Sequence, residues 1–182
     1  MDIGNLYRRA ESARQLDGPS IGIQRRILGA VDRTPTTRKI ADALRGSLVG
    51  HPLHPALVTV PAGAWTASVI FDFFVREPET ARRLIALGLI TTPPVLMTGW
   101  LDWSERSDTA RRVGLVHAAA NGVGIMSFIA SYRLRACRLR ACETGGLRSA
   151  RLLSLIGLTA VSVGGALGGH IVFRLMDTST SV

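Results

Sequence analysis

Four runs of about twenty residues, 55–75, 84–103, 113–132 and 152–173, are nearly free of charge, and they limit the chain to few folds. At a rise of 1.5 Å per residue, a helix of about twenty residues covers a hydrocarbon core roughly 30 Å thick. In lipid such a run must be helical, because each backbone N–H and C=O has to find its partner within its own segment. The expected fold is all-α. It is a four-helix transmembrane bundle, up-down-up-down, over 51–176, with a basic amphipathic arm at 1–50 and a polar tail at 177–182.

Charge fits the same picture. Hydrophobic residues make up 47% of the chain, the formal net charge is +9, and 21 of the 22 basic residues are Arg. Beside apolar spans, that excess suits anionic headgroups rather than nucleic acid. The first fifty residues carry no apolar stretch and have scattered acids (Asp2, Glu11, Asp17, Asp32, Asp42), so insertion is expected to rest on the first span.

Within the arm, Leu6, Tyr7, Ala10 and Ala13 fall at helical spacing, and Asp17-Gly18-Pro19-Ser20 reads as a turn. Further on, Thr36 or Thr37 is placed to cap a helix with apolar face Ile40, Ala43, Leu44 and Leu48 and with Arg38, Lys39 and Arg45 opposite. A helix so built is expected to lie in the headgroup layer.

Inside the first span, Pro61 should kink the helix, and Asp72 lies near enough to the end of the run to emerge at the headgroups. Pro93-Pro94 interrupts the second span, where Thr91, Thr92 and Thr98 are at hand to satisfy the freed carbonyls. Trp100 and Trp103 read as an interfacial aromatic belt. The loop expected at 133–151 repeats RLRAC, which sets Cys137 and Cys142 five apart, a spacing that suits neither a metal site nor a disulfide. In the fourth span, Gly164 with Gly168 and Gly165 with Gly169 form overlapping small-residue pairs that let membrane helices approach closely.

The four histidines are the chemistry-bearing residues. His51 and His54 stand where the first span begins, His117 one turn inside the third, and His170 near the exit of the fourth. An up-down-up-down path brings all four to one membrane face. Trp100, Asp102 and Trp103 lie on that face too. Imidazole is the commonest metal ligand and an axial ligand of haem iron. His117 and His170 are therefore expected to hold haem b or a transition metal ion, with His51 and His54 as further ligands. Asp102 and, four residues after His117, Asn121 are the expected supporting partners. The same histidines also have a plainer role as hydrogen-bond partners between helices. No Walker loop, dinucleotide fingerprint, HExxH or nucleophile elbow is present, so no independent catalytic activity is expected.

HPLHPALVTVP with Asp72, then GWLDW, HAAAN and GGHIVF, together resemble a bacterial membrane family catalogued as domain of unknown function 2231. The resemblance covers about residues 48–175. It implies a multi-pass protein of the bacterial cytoplasmic membrane. Some relatives are fused to Rieske-type iron–sulfur domains, which implies an electron-transfer setting: a larger respiratory or redox membrane complex, or a separate iron–sulfur protein. Neither cysteine here sits in a Cys-x-His pattern. The runner-up expectation is an accessory or assembly subunit without chemistry of its own. Basic residues oppose one another on orientation: nine in the loops of one side favour that side as cytoplasmic, while nine in the arm favour the other.

Overall fold

The computed structural model describes residues 2–141 and 146–175, with side chains left out at 137–141 and 146. Every regular element among the described residues is helical. The arm forms α1 (Ile3–Ser12), a short 3-10 turn (Arg14–Leu16), α2 (Asp17–Val31) and α3 (Pro35–Arg45). Four long helices follow: α4 (Leu53–Ile70) with a π-helical extension (Phe71–Val75), α5 (Pro78–Ser104), α6 (Asp108–Ala141), and α7 (Gly146–His170) with a second π-helical extension (Ile171–Leu175). All four are long and apolar enough to cross a membrane.

The spans run longer than hydropathy alone predicts, at Leu53–Val75, Pro78–Ser104, Asp108–Ala136 and Leu147–Leu175. Paired charges keep their end turns helical. Glu79 accepts from Arg82 at 2.7 and 2.9 Å and from Arg83 at 3.0 Å, one turn along α5. The first RLRAC segment, expected in a loop, continues α6; Cys142 and the Cys137 side chain fall outside what is described. Asp17-Gly18-Pro19-Ser20 is the first turn of α2 rather than a break, since proline is tolerated where no intrahelical N–H bond is needed. The cap of α3 is Thr34, in a reciprocal box with Thr37 and with Pro35 behind it. α5 runs unbroken through Pro93-Pro94. Thr91 and Thr92 donate to the carbonyls of Leu87 and Gly88, a step earlier than the carbonyls the prolines release.

The chain divides into two compact units. The first combines Met1–Pro55, Leu96–Ala119 and Gly164–Val182. Its core is Ala10, Val113 and Leu167, flanked by Leu6, Tyr7, Val116, Ile171 and Leu175. The apolar stripe of α1 thus packs on α6 and α7. Polar anchors extend that attachment. Arg112 forks onto Asp17 at 2.5 and 3.1 Å and donates to the Glu11 carbonyl at 3.0 Å, and Gln24 donates to the Ser104 carbonyl at 2.7 Å. Trp103, expected in an aromatic belt, is buried here: its Nε1 donates to the Arg111 carbonyl at 3.0 Å, and its edge meets Trp100. Gly114 makes room for it, since a Cβ there would stand 2.3 Å from the indole ring.

The second unit comprises Ala56–Val95 and Ala120–Val163. Trp65 stacks on Phe128 at 4.6 Å, and Ile85 completes a core bordered by Leu89, Ile125, Tyr132, Leu158 and Val161. A Cβ on Gly88 would stand 2.2 Å from Trp65 Nε1. A Cβ on Gly124 would stand 3.0 Å from the Gly157 carbonyl oxygen and one on Gly157 3.2 Å from that of Gly124, so this glycine pair lets α6 and α7 approach closely.

Candidate functional site

Sequence reasoning points to the histidines, and all four fall within the first unit. Their surroundings differ.

His54 lies in the opening turn of α4, its Nδ1 3.4 Å from the Thr98 hydroxyl of α5. Its ring rests on Gly99, where a Cβ would approach the imidazole to 2.7 Å. The glycine of GWLDW is therefore a seat for this ring. Asp102, one turn further along α5, is within electrostatic reach of His54.

His117, half-buried on α6, places Nδ1 2.7 Å from the Gly164 carbonyl of α7. A carbonyl only accepts, so Nδ1 carries the proton, and in the neutral ring Nε2 holds the lone pair. Gly168 backs the ring one turn along, where a Cβ would come within 3.0 Å. Gly164 and Gly168 thus serve a histidine, whereas a Cβ on Gly165 would meet nothing within 4 Å and one on Gly169 only Phe173. His117 is also within electrostatic reach of His54.

His170 is turned toward the arm. Its Nε2 is 2.6 Å from Glu11 Oε1, and its ring stacks on Tyr7 at 4.2 Å and 10°. Tyr7 in turn donates to the Ala166 carbonyl at 3.4 Å. His51 is exposed at the rim of a cleft.

The structure therefore seats His54 on Gly99 and Thr98 and His117 on Gly164 and Gly168, gives His170 to Glu11 and Tyr7, and leaves His51 at the surface. Asn121 belongs to the second unit. Among the described residues, no group of three or more His, Cys, Asp or Glu side chains is placed to hold a metal ion. Tyr7 and Glu11 were missed from sequence; their signal was i, i+4 spacing on one face of α1. Outside the spans, the Arg112 guanidinium hydrogen-bonded to Asp17 holds that carboxyl below the ordinary aspartate range.

A second polar centre lies in the other unit. Asp72, expected to emerge at the headgroups, is fully buried. Arg135 grips it with both terminal nitrogens at 2.8 and 2.5 Å, and its Nε donates to Ser131 at 3.2 Å. Ser131 also bonds Ser154 at 2.9 Å and the Ala150 carbonyl at 2.7 Å. Arg151 approaches Asp72 to 3.8 Å and lies over Phe73. The intramembrane carboxylate was legible as costly, but its partner stood in what read as a loop.

The family model described as "Predicted membrane protein (DUF2231)" matches residues 50–179. No curated protein and no solved structure matches the chain.

Proposed function

The chain belongs to the DUF2231 family of predicted membrane proteins, and on that footing we propose that its first unit is a histidine-based redox module that takes haem b or a transition metal ion. His117 and His54 are the side chains that would hold the group; His170, engaged by Glu11 and Tyr7, and the exposed His51 stand outside that pair. One observation carries the reading. The His117 ring is fixed through Nδ1 by the Gly164 carbonyl and backed by Gly168, and the same unit seats a second imidazole, His54, against Gly99 and Thr98. Orientation of one ring nitrogen by a carbonyl or carboxylate is how ligating histidines are commonly prepared.

The donor set fits the chemistry. Imidazole suits iron, copper and zinc, and Asp102, which follows Gly99 by one turn of α5, would be the carboxylate to fix a ligand's tautomer. When bound, haem iron or a redox metal would supply one-electron transfer. The protein's own residues would orient the rings: Gly164 through its carbonyl, Gly168 and Gly99 by giving the rings space, Thr98 by its hydroxyl. The electron partner would be a larger redox membrane complex or a separate iron–sulfur protein, in the bacterial cytoplasmic membrane.

An absorption spectrum and metal analysis of detergent-purified protein test this directly. A Soret band or stoichiometric metal is expected, lost in His117→Gln and His54→Gln. Folded protein without colour or metal would overturn the proposal.

A second reading has its own observation. The Glu11 and Tyr7 contacts make His170 an arm fastener, which suits an accessory subunit without chemistry. That reading expects His117→Gln to be tolerated, since glutamine also donates to a carbonyl, and expects co-purification with a larger complex.

A further inference from the structure

A cleft of about 800 Å³ opens in the first unit beside the α3–α4 corner, lined by Lys39, Asp42, Arg45, Leu48, His51 and Glu105 among others. None of this depends on a cofactor. The cleft lies just before Leu53, where one candidate span begins, and Glu105 lies just past Ser104, where another ends. Those flanks put it at the boundary between water and lipid.

The corner is built to stay open. Gly46 caps α3 with φ 101°, and a Cβ on it would stand 1.8 Å from the His51 carbonyl oxygen, so only glycine lets the chain double back here. Val49 and Gly50 both donate to the Gly46 carbonyl, at 3.0 and 2.9 Å, and close the turn. That turn projects Leu48, 83% exposed, and Val49, 59% exposed. Two bare aliphatic side chains beside a span entrance are placed to sit among acyl chains.

The charges inside the cleft are mixed. Arg45, only 15% exposed at its side chain, pairs with Asp42 at 3.3 Å and lies 3.1 Å from Glu105. The Glu105 contact is close without hydrogen-bond alignment, and Arg45 Nε is buried with no hydrogen-bond partner among the described residues. Both carboxylates keep about half their surface open, at 52% and 56%. Lys39, the chain's only lysine, is exposed on the same wall. Two permanent cations and two carboxylates therefore line one cavity. A purely anionic headgroup would meet the carboxylates unfavourably, and a cation alone would meet Lys39 and Arg45. A ligand carrying both signs satisfies both.

We infer that this cleft binds the headgroup of a phosphoethanolamine lipid. The phosphate lies toward Lys39, Arg45 and His51, the ammonium toward Asp42 and Glu105, and the acyl chains beside Leu48 and Val49. A primary ammonium brings three N–H donors to the carboxylates, and a trimethylammonium brings none. The cleft thus separates ethanolamine from choline lipids.

Native mass spectrometry of the full chain in detergent, titrated with phosphatidylethanolamine, phosphatidylcholine and phosphatidylglycerol of matched acyl chains, tests the assignment. Ethanolamine lipid is expected to bind about tenfold tighter than choline lipid. Glu105→Gln should erase most of that preference, and Lys39→Gln, at an exposed position that does not threaten folding, should weaken all three lipids. Equal binding of ethanolamine and choline lipids, a preference for phosphatidylglycerol, or unchanged selectivity in folded Glu105→Gln would each overturn it. So would soluble phosphoethanolamine competing as well as the lipid, which would make the ligand a free metabolite and not a membrane component.

Discussion

The two units bury polar groups in opposite ways. In the second, a full ion pair is sealed: Asp72 and Arg135 are 0% and 3% exposed, and Ser131 and Ser154 take up remaining donors and acceptors. In the first, beside the buried Arg111 paired with Asp108, three imidazoles are only partly buried, and each meets a neighbour through a ring nitrogen. A buried ion pair with satisfied neighbours has no capacity left for a ligand and works as a lock, because losing either partner strands a charge. An imidazole has two ring nitrogens and changes charge near neutral pH, so it responds to its surroundings where a sealed ion pair does not. The sealed pair therefore lies in the second unit, and the chemistry proposed above would lie in the first.

The largest effect should come from breaking the lock. Asp72→Ala leaves Arg135 buried against serines and is expected to destabilise the protein by about 3–5 kcal/mol in reversible unfolding from mixed micelles. Replacing both residues, Asp72→Leu with Arg135→Leu, should recover most of that loss, since the one charge left without its carboxylate, Arg151, is 28% exposed and can turn to water. If the single change costs under about 1 kcal/mol, the pair is not a lock and the contrast between the units fails.

A pair of glycines on α5 sharpens the contrast at intermediate cost. Gly88 and Gly99 each face a ring, Trp65 in the second unit and His54 in the first. Alanine adds helix propensity at either position, about 1 kcal/mol in its favour. At Gly88 the facing indole is stacked on Phe128 and has nowhere to go, so Gly88→Ala should lose a net 1–3 kcal/mol or so. At Gly99 the facing imidazole is only half-buried and can swing aside, so Gly99→Ala should stay within about 1 kcal/mol of the parent. Equal losses in the same unfolding assay would mean that the first unit is packed as tightly as the second.

Much of this was legible in the sequence, because hydropathy over twenty residues reports span number directly. What it could not report was pairing between distant residues. Asp72 announced a cost, but Arg135 was hidden in a repeat whose charges looked solvated. The charged ends of the spans read as loops because their arginines were counted as free, whereas Glu79 and Asp72 bind them. Trp103 had the composition of an interfacial residue, and only the proximity of the Arg111 carbonyl and Gly114 makes it a core one. The arm's helical stripe of Leu6, Tyr7 and Ala10 was readable, yet its destination on Val113 and Leu167 was not. The histidines show both sides. Their gathering into one unit followed from the order of the spans, while Glu11 and Tyr7 came from the arm, where no periodicity names a partner.

The smallest expected effect concerns how that arm stays attached. Asp17 accepts both bonds of the Arg112 fork, and this hydrogen bonding holds its carboxyl below the ordinary aspartate range. A group whose folded value is depressed favours the folded arrangement at pH values above its ordinary range, about 4. That contribution fades as pH falls through the depressed value and the carboxylate is protonated. Attachment of the arm should thus be flat from neutral pH to about 5 and loosen below about 4. Amide hydrogen exchange in α1 and α2 across that range reads it out. Asp17→Asn should abolish the step while leaving the contacts of Ala10 with the α6–α7 core intact, so protection at neutral pH falls only modestly. An acid-induced loosening of the same size in Asp17→Asn would assign the step to another carboxylate and leave the Arg112 fork without a part in holding the arm.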